Sequence, residues 1–550
     1  MLQEDLVSDV STDSHYTTLS GFNDAVNASY APLRGVWGNN VGAYLEAYGT
    51  DINMNAGHGG YHHYNQYEGG LNPDDGLLSS IWSNYYEAIN TVNAAINRAE
   101  DIQVPESQQL LKDTRLGEVH ALRAFYYFTL VQQFGAVTLT TEETSGIETQ
   151  AERTEPSAVY EQIVSDLETA LDYLEGQGPN GQHVEFGRVN EAVAKMMLSH
   201  VLLTRGYHDF GASNDFERAA SLAESVINDY NYSLVEDYER IFAQDNQQNS
   251  EIIWSVQYGT SALLNGGEDD GNHSHVYYRP WYETYAGPQG NGAGLSRSME
   301  YGRPWIRFKM TPFALENFRP IDQDARYEKS FQELWRYNDA ASLPSGAAVG
   351  DTAIYIDPNL TAAEVDAQQP SKNYYLMSWE TVHRSANINM FPSLKKHDDF
   401  ERSSVNDYGG TKDYFVYRLA EAYLFAAEAH HQLGNNQQAA DHINVVRRRA
   451  AWPGQESNME ISAGDVTLDF ILNERAREFY GEDKRWTTLK RTGKLIERVQ
   501  QYGGLQETRS NVSISAPAKY GNLGYKFLLR PIPTNQITRT EGGYEQNPGY

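Results

Sequence analysis

Alanine spacing near the C-terminus constrains what this chain can fold into more than any other feature. Between Tyr414 and Leu433, Ala422, Ala426 and Ala429 recur at intervals of four and three, which makes one helix face of small side chains. A face without bulk lets a neighbouring helix approach closely, as antiparallel helix pairs stacked in an array require. Gly434-Asn435 supplies the stop, and Gln438–Arg449 reads as the returning helix. A charged segment, Leu472–Leu495, reads as a further helix. The chain then runs into a proline-punctuated tail, Leu528–Tyr550.

The first half follows the same period. Ile81, Tyr85, Ile89, Val92 and Ile96 make one helix face across Ile81–Ala99, and Leu116, Val119, Leu122, Tyr126 and Leu130 make another across Arg115–Phe134. Further amphipathic stretches fall at Ser157–Leu174, Asn190–Arg205 and Phe216–Asn228. From Gln257 to Asp413 glycine, proline, tryptophan and tyrosine become frequent and periodicity fades, with short strands expected at places such as Thr352–Ile356. Loop-rich stretches of this length tend to carry function. No clean 34-residue repeat links the helix pairs, so any array is degenerate and interrupted. The expected fold is mainly α, with helix pairs as scaffold. Four stretches are assigned to one domain: 1–15 as an N-terminal linker, 16–256, 257–413 and 414–550.

Bulk properties exclude several classes. Lys and Arg number 43 against 74 Asp and Glu, a net charge of −31, which repels phosphate backbones and argues against nucleic acid as a partner. Cysteine is absent, so disulfides, thiolate metal sites and cysteine nucleophiles are excluded. No apolar run is long enough to cross a bilayer as a helix. The first residues, MLQEDLVSDVSTDSHY, have neither a basic nor an apolar signal region, which leaves a cytosolic chain or one whose signal has been removed.

Several motifs, in order and over the whole length, resemble the SusD/RagB family. Arg418–Glu421, Ala426-Ala427-Glu428-Ala429 and Asn444-Val445-Val446-Arg447 are similar to its paired C-terminal helices of tetratricopeptide (TPR) type. Asn473-Glu474-Arg475, Glu478-Phe479, Arg485-Trp486 and Leu489-Lys490-Arg491 resemble its charged helix, and Pro531-Ile532-Pro533 with Gln546–Tyr550 its ending. Upstream, Trp82, Tyr86, Ile89 and Asn93, and then Arg123–Tyr127, are similar to its early helices. The resemblance implies a SusD-like fold and a glycan-binding outer-membrane lipoprotein. Such a protein faces the cell exterior and acts as a hinged lid on a SusC-like TonB-dependent transporter. It also implies a lipid-modified cysteine just before a segment like Leu2–Asp5, which favours the removed-signal reading. Taken alone, the charges at Glu474–Arg485 read as surface or interhelix ion pairs, and Trp486 as a packing anchor.

Glycans offer hydroxyls and flat C–H faces, which proteins meet with polar side chains and aromatic rings. The chain is 12% aromatic, with 38 Tyr and 9 Trp, concentrated in loops at 57–67, 277–285 and 301–305. Family placement of glycan contacts, carried onto these loops, implies Asp51, Tyr61, His62, Tyr64, Tyr67, Trp281, Tyr282 and Trp305, with Trp335 and Trp379 behind them. Two or three ring stacks of about 1.5–3 kcal/mol each, less the cost of association, correspond to roughly millimolar to micromolar affinity.

Catalytic motifs are missing: there is no H-E-x-x-H, no G-x-x-x-x-G-K-[ST] and no G-x-S-x-G. His58, His62 and His63 lack an obvious carboxylate partner, and Glu268–Asn272 misses the EF-hand positions, so no metal or cofactor is expected. The expectation is a non-enzymatic glycan binder, with a neutral glucan or mannan favoured over acidic polymers. A TPR-type peptide scaffold and a glycoside hydrolase remain as alternatives, the latter because carboxylate pairs are set in three dimensions.

Overall fold

Apolar residues three and four apart close into helices where neighbouring helices cover them. The computed structural model describes residues 17–57, 60–67, 70–144, 146, 148–261, 265, 271–288, 290–503, 507–508, 512–513 and 525–550. The expected linker 1–15 lies outside these residues. The principal helices of the first half are α1 (Leu19–Ala28), α2 (Asn40–Ala47), α3 (Gly76–Ala99), α4 (Glu106–Phe134), α5 (Pro156–Tyr173), α6 (Glu191–Arg205) and α7 (Asp215–Asn228). Helix α3 begins earlier than the periodicity at Ile81 because the Asp75 carboxylate caps it, accepting from the Leu77 and Leu78 amides. Helix α4 also begins early. Its first turns are polar and largely exposed, so no apolar stripe announces them.

Short strands punctuate the chain: β1 (Asn53–Asn55), β2 (Ile252–Val256), β3 (Phe308–Met310), β4 (Phe331–Gln332), β5 (Leu334–Arg336), β6 (Thr352–Asp357), β7 (Tyr375–Ser378), β8 (Ser393–Leu394) and β9 (Tyr414–Arg418). They pair as β1–β3, β2–β9, β4–β8 and β5–β6–β7. The expected strand at Thr352–Ile356 is β6.

Two readings of the C-terminal part need correction. Tyr414–Arg418 is strand rather than helix: it lies antiparallel to β2 and is buried on both faces, so no alternation marked it. The helix starts at Leu419, giving α8 (Leu419–Gln432) and α9 (Asn436–Ala450). The charged segment is likewise not one helix. It divides into α10 (Leu468–Glu478) and α11 (Arg485–Arg491), followed by α12 (Leu495–Tyr502). The break holds Gly481 at φ +82° and Asp483 at φ +47°, left-handed positions that a helix cannot contain.

In space the helices form one succession. Each of α3 to α7 packs on the next, α7 then packs on α8 across the whole intervening segment, and α8 packs on α9. Ala422, Ala426 and Ala429 are fully buried at these contacts. The mainly helical architecture, with few short strands in small sheets, thus holds its array together around the loop-rich insert.

The charged residues of the family-like segment turn inward. Arg326 is fully buried and bonds Asp324, Glu474 and Glu478; Arg418 bonds Glu251, Glu478 and Glu482. Arg449 joins Glu251 to Glu478, and Lys396 reaches Glu482 at 2.7 Å. Three arginines around Glu478 (Arg449, Arg418 and Arg326) outweigh its burial and hold its carboxyl down at about 2. Such a lattice costs desolvation, and removing one member strands the others. It joins the loop-rich insert, β9 and the C-terminal helices into one frame. Trp486 is fully buried beneath Arg530 of the tail.

Candidate functional site

Strands β1 and β3 pair over Asn53↔Met310, Met54↔Lys309 and Asn55↔Phe308. Beyond the ladder the Ala56 amide still donates to Arg307 O at 3.1 Å. This pairing brings the aromatic loop after residue 56 alongside the one ending at residue 306, although they lie far apart in sequence.

The rings of the two loops join in a line. Tyr61 stacks on Tyr44 at 4.9 Å between centroids, Tyr44 meets Tyr277 at 6.1 Å, Tyr277 meets Trp305 at 6.0 Å, and Trp305 meets Tyr408 at 4.8 Å. Tyr61 is 37% exposed, Trp305 and Tyr408 are half-buried, and Tyr44 and Tyr277 lie fully buried between them. Two guanidinium groups sit over this line, Arg307 4.4 Å from the Trp305 ring and Arg303 3.6 Å from the Tyr408 ring. Arg303 is engaged by Asn406 O and the Tyr408 hydroxyl. The buried Tyr44 hydroxyl faces the Arg307 guanidinium, whose Nε and Nη1 atoms lack a well-aligned hydrogen-bond acceptor among the described residues. Such groups carry a desolvation cost that a hydroxyl-rich ligand can relieve.

The backbone is strained at the same place. Among the described residues, the non-glycine positions with positive φ are Tyr61 (+59°), Tyr67 (+53°), Ile306 (+48°) and Asp483 (+47°). Tyr61 and Ile306 flank the ring line across the ladder. A β-branched residue at positive φ is an outlier, and strain of this kind gathers where side chains must be aimed.

The residues expected from sequence divide into two groups. Tyr61, His62, Trp281 and Trp305 retain accessible surface. Trp281 packs on the small cluster Ala56, Ile306 and Phe391, so it shares the Ile306 corner with Trp305. The other four, expected from sequence as glycan contacts, are buried and bonded within the frame. Asp51 is fully buried, with Arg485 donating at 2.7 and 2.6 Å and Arg498 at 2.6 Å. These two arginines outweigh its burial and hold its carboxyl below the ordinary carboxylate range. Tyr64 donates to Asp75 at 2.5 Å, Tyr67 to Gly49 O at 2.6 Å, and Tyr282 to Gly302 O at 2.7 Å, all from buried positions. Trp335 and Trp379 are core residues as well.

The line also takes in Tyr44, Arg307 and Tyr408, which sequence reasoning did not single out. Tyr408 stands before Gly409-Gly410, the same aromatic–glycine signal that marked the other loops. Tyr44 lies within α2 and carries no such mark. Of the suggested metal groups, His58 and Glu268–Asp270 lie outside the described residues, while His63 pairs with Asp75 at 2.9 Å. A cleft of about 750 Å³ opens elsewhere, lined by Arg153, Tyr207, His208, Lys490 and Asn547 among others. It shares no lining residue with the ring line.

A family model described as "SusD family" matches residues 241–550, more than half of the chain. The chain belongs to the SusD family. A second model, "Starch-binding associating with outer membrane", matches residues 8–203. SusD-family proteins are non-catalytic glycan binders associated with the outer membrane. Among curated relatives, SusD-like protein P2 of Formosa agariphila is 26% identical over all of this chain and 96% of its own length. Starch-binding protein SusD of Bacteroides thetaiotaomicron is 23% identical over 79% of this chain and 72% of its own. Among solved structures, a laminarin-binding SusD-like protein superposes with TM-score 0.69 at 23% identity, covering 97% of this chain and all of its own. A SusD homolog from Bacteroides thetaiotaomicron gives 0.74 at 19% identity over 99% of each chain. At these identities the superpositions establish the fold.

Proposed function

We propose that this SusD-family chain captures a neutral glucan chain on the Tyr61–Trp305–Tyr408 face and hands it to a SusC-like TonB-dependent transporter. In this reading it serves as the transporter's lid on the outside of the outer membrane, held there by a lipid anchor. The observation that carries the reading is the line of rings across the β1–β3 ladder, open at Tyr61, Trp305 and Tyr408. Flat rings at successive positions suit the C–H faces of successive sugar residues, and the Arg307 donors suit their hydroxyls. The names of two relatives support the substrate class, since one binds starch and the other laminarin, both neutral glucans.

Affinity gel electrophoresis on laminarin, starch, mannan and alginate tests the capture step. Retardation in a neutral glucan gel, with no release of reducing ends, is the expected result. No retardation in any gel removes the proposal, and binding to alginate alone removes the neutral class. The transporter step is tested by co-purifying the full-length lipoprotein with its outer-membrane partner from the native cell envelope. Absence of a TonB-dependent transporter from the complex counts against the lid.

A further inference from the structure

Away from the aromatic face, side chains from three helices of the array converge on one point. His430, near the end of α8, and His442, in α9, both direct Nε2 at the same oxygen of Glu224 on α7. The separations from Glu224 Oε1 are 2.8 and 3.1 Å. The two imidazoles stack 5.6 Å apart and within 9° of parallel. The ligand atoms of all three residues lie within 4.8 Å of one another.

This is a divalent-ion donor set. A tetrahedral zinc ion, with bonds of roughly 2.0–2.1 Å, holds its ligand atoms about 3.3 Å apart. The observed nitrogen–oxygen separations therefore need to open by only a few tenths of an ångström. Two imidazoles and one carboxylate give one negative charge and borderline-soft nitrogen, which suits zinc over calcium or magnesium. The histidine side chains are 11% and 18% exposed, and that of Glu224 is 36% exposed, so a water can complete the tetrahedron from the solvent side. Among the described residues His430 Nδ1 has no hydrogen-bond partner, so no contact with them there fixes the tautomer of that ring.

The positions follow from the helix pairing. The turn at Leu433–Asn435 folds α9 back on α8, which sets His430 against His442, and α7 packs across them to supply Glu224. None of the three lines the cleft described above. We propose that Glu224, His430 and His442 form a zinc-binding site that staples α7 to the α8–α9 hairpin, fixing the array where it resumes after the long insert.

The full chain, stripped with EDTA and dialysed, is titrated with zinc chloride by calorimetry while its thermal midpoint is followed. One equivalent should bind in the micromolar range or tighter and raise the midpoint. Cobalt chloride should give the intense visible absorption of a tetrahedral site. His442→Ala and Glu224→Gln should each weaken binding at least tenfold, and His431→Ala, the neighbouring histidine, should not. His442→Gln, closer in size, serves if the alanine variant loses its native circular dichroism. Zinc binding with the same stoichiometry and affinity in the Glu224 and His442 variants overturns the site, as does the absence of binding to the parent chain.

Discussion

Trp305→Ala is the most direct test of the aromatic face. The ring is half-buried between Tyr277, Tyr408 and Arg307, so only its outward part can meet a sugar. The intermediate exposure of Trp305 leaves at most about a third of a tryptophan's roughly 250 Å² open, so some 80 Å² at ~25 cal/mol per Å² sets a ceiling of about 2 kcal/mol. That corresponds to about a thirty-fold rise in Kd. The same substitution also removes packing from Tyr277 and Tyr408. The fold should survive, because both neighbours keep other contacts: Tyr277 bonds Asn40 at 3.0 Å, and the Arg303 guanidinium still covers Tyr408. Titration calorimetry with a laminarin or starch oligosaccharide measures the loss, and circular dichroism with a thermal melt confirms folding. A folded Trp305→Ala protein with unchanged affinity refutes the reasoning, because it removes the middle of the three open rings without consequence. Trp335→Phe, altered in the core, serves as the comparison and should change stability more than binding.

Three further outcomes are expected. Asp51→Asn should destabilise by about 3–5 kcal/mol in urea unfolding, because Arg485 and Arg498 lose a buried counter-charge, while glycan affinity of the folded fraction stays unchanged. Ala426→Leu forces bulk between α8 and its neighbours and should cost about 1–3 kcal/mol; a neutral result would show that the helices are not held at close approach. Burial, with the Glu46 carboxylate beside it, pushes Asp483 up to about 7. The unfolded chain releases that proton near pH 4, so this group's contribution falls as pH rises from about 4 through 7. Asp483→Asn, whose one oxygen can accept from one of the Tyr278 and Tyr414 hydroxyls while its amide donates to the other, should flatten the urea-midpoint profile over that window. An unchanged slope contradicts the raised value.

The array was legible because its evidence is local. The three-and-four spacing at Ile81–Ile96 and the alanine face at Ala422–Ala429 each state what a neighbouring helix must do. Strand β9 was not legible, because a strand buried on both faces shows no alternation and Tyr-Phe-Val-Tyr-Arg suits either structure. The two loops that the β1–β3 ladder joins were also legible as segments, since aromatic and glycine density marked both. Which of their side chains stay accessible was not. Tyr61 and Tyr64 stand three apart in one loop, yet one ring is open and the other is tied to Asp75. Which side chain turns inward depends on partners elsewhere in the chain: Gly49 O for Tyr67, Gly302 O for Tyr282, and two arginines from the last hundred residues for Asp51.

The three-residue ladder between β1 and β3 has a consequence for how specificity can change. Its buried side chains fix where two loops leave the frame, and they take no part in what those loops recognise. Rings and polar groups beyond Ala56 and before Arg307 can be exchanged, lengthened or deleted while the exit points stay where they are. Under the proposed function, part of the ligand preference is therefore modular: two loops can be rewritten with the buried charges and the tail left intact.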